Sequence, residues 1–468
     1  MHQYLKYVYA FYALLTICFS AALTPGFQAP DERNHFLRAE QVSRGLLIPR
    51  FILQQVSTAH HTSPDHRIIY PDSGGYEGNK AIVLAALPLQ DIRFHPENKI
   101  TDSLILASRK IKWKGERAVI DFDNTAIYPP TGYLFSGVGI CIGKVTHMPV
   151  LDTLILSRIL NGLCCAAICF FAIALAGRFK WLMFFLLLLP LPIFLFASVS
   201  QDGLLISLAA LFFAIIDHVE SRENKTYSRT QMGMLLICIT VISMARPPYF
   251  LLIGIFLFLR GTPQMKFVRI ALPFGILCIW GLLNRQNYSV VFAPAEMHVN
   301  ARMQLAYVLA DPFKFLGMFF PVNTNLLMSK SNEYIGVLGW LDLFLPDLYY
   351  KITFFVFLLI FFSSIYFSRQ QWKLRLACIL FAILSFLAVM AAQYITWMPL
   401  ESPILGGIQS RYFIPVILCV ALGFSGFRIE TAIFTIRLPL YFLLILFPLI
   451  SLFVMVHQFI IRYYLPLS

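Results

Sequence analysis

Long apolar runs alternate with short polar loops along the whole chain. A helix needs about 20 apolar residues to cross the hydrocarbon core of a bilayer. Eleven segments approach that length, and they cover residues 5–24, 153–177, 181–199, 203–218, 232–246, 248–260, 267–284, 351–367, 373–392, 411–427 and 438–458. The pattern therefore predicts an all-α polytopic membrane protein with eleven transmembrane helices. Arg246-Pro247-Pro248 interrupts the region 232–260, which is typical of one broken helix or of two short ones.

The composition excludes a soluble protein. Of the 468 residues, 58% are hydrophobic and 13% are charged, and the mean hydropathy is +0.71. The nine cysteines lie mostly inside apolar segments and show no CxxC spacing. We therefore expect them to pack as small apolar side chains rather than to form disulfides or a metal site.

Lysine and arginine residues predict the orientation, because they collect in cytoplasmic loops. With the N-terminus inside, every loop expected on the cytoplasmic side is basic, and these loops contain Arg178 and Lys180; Arg222, Lys225 and Arg229; Arg260, Lys266 and Arg269; Arg369, Lys373 and Arg375; and Arg428 and Arg437. The assignment requires residues 131–148 to form a re-entrant or interfacial helix instead of a span. Much of the net charge of +13 then reflects topology, so no nucleic-acid partner is implied. The remaining basic residues in the outer loops suit anionic membrane lipid or phosphate.

Two long segments, 25–150 and 285–350, face outward in this orientation. Neither has the alternation of an independent catalytic domain, so residues 1–468 are predicted to form a single membrane domain with two external loops. The first loop is predicted to begin with an amphipathic helix at 31–45 and to contain a hairpin of residues 110–114 and 117–122. The second contains an amphipathic stretch, 302–320, expected to lie along the membrane.

The unusual short motifs all fall on the outer side. They are Pro30-Asp31-Glu32, Tyr128-Pro129-Pro130, Ser200-Gln201-Asp202-Gly203, Arg246-Pro247-Pro248-Tyr249, Gly336-Val337-Leu338-Gly339-Trp340-Leu341-Asp342 and Gly407-Ile408-Gln409-Ser410-Arg411-Tyr412. Convergence on one face predicts an active site at the outer membrane interface.

The order of these motifs resembles a bacterial family of predicted membrane proteins of unknown function within the GT-C glycosyltransferase superfamily. The most specific matches are Pro-Asp-Glu-x-x-His-x-x-Arg at 30–38, Gly-x-Leu-Gly-Trp-Leu-Asp at 336–342 and Gly-x-Gln-x-Arg-Tyr-Phe-x-Pro at 407–415. In the last block Ser410 stands where the family pattern has glycine. The resemblance implies a GT-C type fold, an acidic residue in the first external loop, and sugar transfer from a polyprenyl-phosphate (undecaprenyl type) carrier at the periplasmic face of the inner membrane.

Such a transfer requires a base for the acceptor hydroxyl and cations for the departing phosphate. Asp31 is the candidate base; the alternative is that Asp31 and Glu32 only cap the following helix. Glu32 is also a catalytic candidate, either orienting Asp31, raising its pKa, or binding a metal. His35, four residues after Asp31, is a candidate to orient that carboxylate, with a solvated histidine as the alternative.

The candidate donor-binding residues are Arg411, Arg246, Arg38, Gln409 and Tyr412. An arginine at a membrane helix end is costly unless it is paired, although snorkelling to the interface is an equal alternative. The candidates for acceptor binding or orientation are Asp202, Tyr128, Trp340 and Asp342. Their alternatives are an N-cap for Asp202, a rigid turn around Tyr128 and an interfacial belt position for Trp340.

No cofactor is implied with certainty, and a divalent cation is left open. His60, His61, Asp65 and His66 match no metal-site spacing, and a solvated loop is the better interpretation. Walker, GxGxxG and GxSxG motifs are absent from the sequence, which removes support for nucleotide hydrolysis and serine-hydrolase chemistry.

The sequence thus predicts an inverting GT-C type hexosyltransferase that transfers a sugar to a cell-surface glycan such as the O-antigen of lipopolysaccharide. The alternatives are a polysaccharide or lipid transporter, and a polysaccharide polymerase or ligase. A transporter requires charges along a path through the membrane. A polymerase or ligase would centre its site on the second long loop.

Overall fold

The computed structural model describes residues 4–53, 74–222, 226–289, 297–319, 324–364, 372–425 and 434–466. Six helices within these residues are long and apolar enough to cross a membrane, namely Leu5–Leu23, Val150–Leu175, Asp202–Glu220, Pro263–Leu283, Trp372–Trp397 and Ile445–Tyr463. The chain is therefore an all-α protein of the multi-pass membrane type, as the hydropathy pattern predicts. The count of eleven spans stays a prediction.

The remaining apolar segments form shorter or interrupted helices. They are Lys180–Leu188, Pro190–Phe196, Arg229–Ala245, the 3-10 segment Pro247–Leu257, Asp347–Ser364, and the 3-10 turn Ser410–Phe413 followed by helix Ile414–Phe424. The predicted segment 181–199 is thus not one continuous helix. Its break falls at Leu189, before a proline whose ring nitrogen has no hydrogen to donate. The last helix, Phe434–Tyr463, contains the sixth candidate span.

Helix packing buries Asp202–Glu220 most deeply of the six candidate spans, while the first helix keeps one face exposed. Leu5–Leu23 packs against Val150–Leu175 and against the C-terminal helix, while Val150–Leu175 also packs against Asp202–Glu220. Residues 131–148 form helix Leu134–Val145, which has 12 residues and is too short to span. It lies against Val150–Leu175, where an added Cβ at Gly139 would come within 2.7 Å of the Ser157 Cα. This short helix therefore needs glycine at that contact.

The first long loop folds as short elements over one end of the bundle. Its helices are Glu32–Ser43, Lys80–Ala86, Asp102–Arg109 and Asp123–Ala126, with 3-10 segments Leu87–Ile92 and Pro130–Tyr133. Helix Glu32–Ser43 confirms the predicted amphipathic helix at 31–45. The second long loop contains Asn287–Ser289 (3-10), Ala301–Ala310, Pro312–Gly317 and Thr324–Gly336. The predicted amphipathic stretch 302–320 is divided between two of these helices.

The hairpin predicted between residues 110–114 and 117–122 is wrong. Strand Arg117–Ile120 pairs instead with Gly75–Asn79, which also pairs with Phe51–Ile52 in a three-stranded antiparallel sheet. Charge favours this pairing, because Arg117 Nη1 lies 2.8 Å from Glu77 Oε1 on the neighbouring strand. Local alternation along 110–122 contains no information about a partner 40 residues earlier in the chain.

A buried ion pair joins the first loop to the bundle. Arg158 Nε and Nη2 donate to the two carboxylate oxygens of Glu32 at 2.8 and 2.5 Å, and both side chains are almost fully excluded from solvent. Glu32 Oε1 also accepts from the Val199 amide at 3.1 Å. Arg158 donates further to carbonyl oxygens near the end of the first helix, those of Ala21, Thr24 and Pro25. This ion pair fixes the position of the residue that precedes Glu32, which is Asp31.

Replacing Arg158 with methionine is expected to destabilise the protein strongly, because it leaves the Glu32 carboxylate buried without its cation. Breaking one partner of a buried pair costs about 3–5 kcal/mol. The double variant Glu32→Gln/Arg158→Met is expected to be more stable than the sum of its two single variants implies. Thermal unfolding of the purified protein in detergent measures all four forms.

The matched control is Arg109→Met, since Arg109 forms an exposed pair with Asp152. Exposed pairs contribute at most about 1 kcal/mol, so the control is expected to unfold close to the wild type. If the destabilisation of the double variant equals the sum of the two single variants, Glu32 and Arg158 do not form the buried ion pair described here.

Candidate functional site

Four charged side chains from four separate segments meet at one end of the bundle. Arg411 Nη2 lies 3.2 Å from Asp31 Oδ2, and Arg411 Nη1 lies 3.4 Å from Asp202 Oδ2. Arg246 Nη2 lies 3.2 Å from Asp202 Oδ1. Asp202 therefore holds two guanidinium groups, and one of them also reaches Asp31. We call Asp31, Asp202, Arg246 and Arg411 the charge cluster.

Asp31 lies in a strained backbone conformation immediately before a helix. Its φ of 58° and ψ of 15° place a non-glycine residue in the left-handed region. It occupies the N-cap position of helix Glu32–Ser43, yet its side chain makes no capping hydrogen bond. The carboxylate instead contacts Arg411 and accepts from Asn124 Nδ2 at 3.3 Å, and its side chain is 30% exposed. Strain of this kind persists where surrounding structure imposes it, often at functional sites.

Arg411 lies in a loop whose backbone is hydrogen-bonded to a helix of the second long segment. Glu333, on helix Thr324–Gly336, accepts from the Ser410 amide at 2.7 Å, and Lys330 Nζ donates to the Ile408 carbonyl at 2.8 Å. The Arg411 side chain is 5% exposed, and its Nε atom has no hydrogen-bond partner among the described residues. The Oε1 atom of Gln409 is likewise buried and unpaired in the described part of the chain. The unpaired Arg411 Nε donor favours an anionic ligand, whereas Gln409 Oε1 is an acceptor and favours a hydrogen-bond donor such as a hydroxyl group.

Arg246 and Asp202 come from the ends of neighbouring helices. Asp202 is the first residue of helix Asp202–Glu220, and its N-cap is Gln201, so the N-cap alternative for Asp202 does not describe its position. Arg246 follows the end of Arg229–Ala245 and stacks 4.0 Å from the ring centre of Tyr412. This cation–π contact places Tyr412 within the charge cluster.

A cleft of about 170 Å³ opens beside Asp31, and we call it the polar cleft because six of its twelve lining residues are polar or charged. Its lining includes Asp31, Arg33, Asn34, Arg93 and Trp340. Trp340 donates its indole N–H to the Phe27 carbonyl at 3.0 Å, so its ring is fixed at the wall of this cleft.

Asp342 orients the loop that contains Trp340. Its Oδ1 accepts from the Trp340 amide at 3.0 Å, its Oδ2 accepts from the Phe94 amide at 3.2 Å, and it pairs with Arg462 at 2.6 Å. The C-terminal helix therefore supports the polar cleft through Arg462.

A crevice of about 10 Å³, room for at most about one water molecule, borders Arg411. It is lined by Pro30, Leu191, Phe194, Leu195, Glu333, Val337, Leu341 and Arg411, and most of these side chains are apolar. Asp31 lines the polar cleft and Arg411 lines the apolar crevice, so their ion pair lies between a polar and an apolar compartment.

Other predicted site residues lie beside the cluster in different roles. His35 Nδ1 lies 2.7 Å from the Tyr133 hydroxyl rather than bonding Asp31, and its ring stacks on Tyr128. Arg38 is fully buried and donates to backbone carbonyls, including Tyr128 O at 3.1 Å. Glu32 is occupied by Arg158 as described above. We assign no chemical step to His35, Arg38 or Glu32.

Sequence analysis missed Arg158, Arg33 and Arg93. Arg158 lies inside the apolar segment 153–177, and an unpaired arginine there is too costly to occur without a carboxylate partner. That signal was available from the sequence. Arg33 and Arg93 gave none, because only the fold brings them to one cleft.

The histidine-rich segment of the first loop is the candidate metal site in the sequence. His60, His61, Asp65 and His66 lie outside the described residues. Within the described residues no group of three His, Cys, Asp or Glu side chains has the arrangement of a metal site.

Burial lowers the pKa of His35 to about 4, below its ordinary value of 6.5. Protonation is then more favourable in the unfolded chain, so His35 costs no stability above pH 6.5 and an increasing amount as the pH falls toward 4. His35→Gln is expected to flatten the pH dependence of the unfolding midpoint across this window. Thermal unfolding between pH 8 and pH 4 measures the effect, and parallel curves for the two proteins would contradict it.

Comparison with known proteins identifies a family. Residues 14–420 match the family model described as "Predicted membrane protein (DUF2142)". No curated protein and no solved structure matches the chain. The family description names neither an activity nor a link to the GT-C superfamily, so both stay predictions. Because the match covers most of its length, the chain belongs to the DUF2142 family of predicted membrane proteins.

Proposed function

We propose that this protein is a membrane glycosyltransferase of GT-C type. It transfers a sugar from a polyprenyl-phosphate donor to a cell-surface glycan. The observation that supports this most is the position of the Asp31–Arg411 pair between the polar cleft and the apolar crevice. A reaction between a hydrophilic acceptor and a lipid-linked donor needs its base and its phosphate partner at such a boundary.

Each compartment has the chemistry of one substrate. The polar cleft contains the hydrogen-bonding side chains and the fixed indole of Trp340, which suit a sugar acceptor. The apolar crevice is lined by Leu191, Phe194 and Leu195, which suit an isoprenoid chain, and by Arg411, which suits a phosphate head. The Glu333 carboxylate in the same lining is paired with Lys330. The crevice is narrow as it stands, so the donor must widen it on entry.

The proposed step is a direct displacement at the anomeric carbon. The acceptor oxygen forms a bond to C1 while the bond from C1 to the phosphate oxygen breaks, which inverts the configuration. Asp31 takes the proton of the attacking hydroxyl. Arg411, supported by Arg246, stabilises the charge that develops on the departing polyprenyl phosphate.

The charge cluster lies at the end of the bundle opposite the basic loops. Helix Asp202–Glu220 begins at the cluster and ends next to Arg222. Helix Arg229–Ala245 runs from a basic loop back to Arg246. Because basic loops are retained in the cytoplasm, we assign the site to the outer, periplasmic face of the bacterial inner membrane.

Asp31→Asn is expected to reduce sugar transfer by about 100-fold or more, because a positioned general base contributes about 10²–10⁴ in rate. The assay follows labelled hexose from polyprenyl-phosphate hexose to membrane glycan in proteoliposomes. Asp152→Asn is the matched control, because it removes a carboxylate paired with Arg109 away from the cluster. Both variants are first compared with the wild type for insertion and unfolding temperature.

Equal activity of Asp31→Asn and the wild type would remove Asp31 as the base. A second variant neutralises Arg302 and Lys314 in the second loop. If this variant loses activity while Asp31→Asn stays active, the result favours a polymerase or ligase. If the wild type transfers no sugar with any of several donors and acceptors, the assignment as a glycosyltransferase is overturned and a transporter is favoured.

Arg411→Lys is expected to lower kcat/KM for the donor by about tenfold or more, with the acceptor KM unchanged. Lysine keeps the charge beside Asp31 and Asp202 but loses the planar, bidentate geometry that binds phosphate. Arg302→Lys, at an exposed position, is the control. A changed acceptor KM with an unchanged donor KM would contradict the assignment of Arg411 to the donor.

A further inference from the structure

We propose that the ligand of the polar cleft is an anionic sugar, whose carboxylate or phosphate group is bound by Arg33 and Arg93. This inference deepens the proposed function, on which it rests, by naming the chemical class of the acceptor. Both arginines line the cleft that Asp31 also lines.

The described part of the protein places no carboxylate within salt-bridge distance of either arginine, although Asp121 and Asp31 lie near enough to Arg33 to favour its charged form. Arg33 donates from Nε and Nη2 to the same neutral atom, Asn34 Oδ1, at 3.1 and 3.0 Å. Arg93 stacks over the Trp340 ring at 4.6 Å, a contact that fixes the side chain without using its N–H donors. Within the described residues neither arginine forms a salt bridge with a carboxylate. Both guanidinium groups therefore have donors left for a ligand.

The electrostatic balance of the cleft is positive. Asp31 is the carboxylate among the lining residues, and Arg411 already pairs with it from outside the cleft. Arg33 also lies in the first turn of helix Glu32–Ser43, where the helix dipole adds positive potential and Asp31 gives no cap. Burial lowers the pKa of the Arg33 guanidinium and the nearby charge of Arg93 adds to this lowering, while Asp121 and Asp31 oppose it. A bound anion would remove this cost.

The shape of the cleft favours a sugar over a free ion. The two arginines line it together with the amide side chains of Asn34 and Gln90 and with the fixed indole of Trp340. A volume of about 170 Å³ accommodates a ring-sized group rather than a phosphate alone. Hydrogen-bonding amides beside an aromatic wall are the usual surroundings of a sugar ring.

The test compares charged and neutral ligands that differ in one group. Full-length protein in nanodiscs of neutral lipid is titrated with a glucuronate oligosaccharide and with the corresponding glucose oligosaccharide, by calorimetry at low and high salt. The wild type is expected to bind the glucuronate form about tenfold more tightly or better, since hydrogen bonds to charged groups are strong. Added salt is expected to reduce the preference.

The double variant Arg33→Gln/Arg93→Gln is expected to bind both oligosaccharides with equal affinity. Arg50→Gln, which removes an exposed arginine from the same loop, is the matched control and is expected to retain the preference. Equal affinities in the wild type, or a preference that persists in the double variant, overturn the inference. So does the absence of glucuronate binding at millimolar concentration.

Two further arms identify the source of the anionic group. If the site binds either a carboxylate or a phosphate on a sugar, an oligosaccharide of hexose 6-phosphate is expected to compete with the glucuronate oligosaccharide. Competition by phosphatidylglycerol in the nanodisc, with no oligosaccharide binding, would indicate a lipid headgroup and overturn the acceptor assignment. Binding is measured without turnover, so it tests this inference separately from the proposed function. If the protein transfers sugar to neutral acceptors and shows no preference for anionic ones, the proposed function stands and this inference is refuted.

Discussion

Buried pairs of a guanidinium group and a carboxylate hold together the end of the bundle that carries the charge cluster. Four buried arginines there have an acidic partner from a distant segment: Arg158 with Glu32, Arg246 and Arg411 with Asp202, and Arg462 with Asp342. Leaving either partner alone in a low-dielectric environment costs several kcal/mol. The pairs therefore act together as a set of constraints that bring the first loop, the helix ends and the C-terminus to one place.

These pairs differ in how fully their polar groups are satisfied. Arg158 has both oxygens of Glu32 and three backbone carbonyls as acceptors, so its contacts leave little capacity for a ligand. Arg411 has an unpaired Nε, and its partner Asp31 is both partly exposed and strained. A fully satisfied network stabilises one structure, whereas incomplete satisfaction and strain are typical of sites that bind and react. The contrast separates the Glu32–Arg158 pair, whose contacts are all structural, from the Asp31–Arg411 pair, to which we assign the proposed reaction.

Hydropathy and charge predicted much of the architecture, because both act locally along the chain. The helical membrane class and the amphipathic helix after Pro30 follow from patterns within about 20 residues, whereas the non-spanning segment 131–148 follows from the distribution of basic loops along the chain. The sheet pairing of Arg117–Ile120 did not, since it joins segments 40 residues apart. The site divides in the same way: the sequence singled out Asp31, Asp202, Arg246 and Arg411, but their mutual pairing and the approach of Arg33 to Arg93 depend on tertiary packing.

The geometry of the charge cluster couples the two halves of the proposed reaction. Before transfer, Arg411 is shared between Asp31 and Asp202. When Asp31 accepts the acceptor proton it becomes neutral, and its attraction for Arg411 falls. At the same moment the leaving phosphate gains negative charge and attracts that guanidinium more strongly. In the proposed reaction, proton transfer at Asp31 would therefore free Arg411 to interact with the leaving phosphate, while Asp202 would keep Arg411 in position.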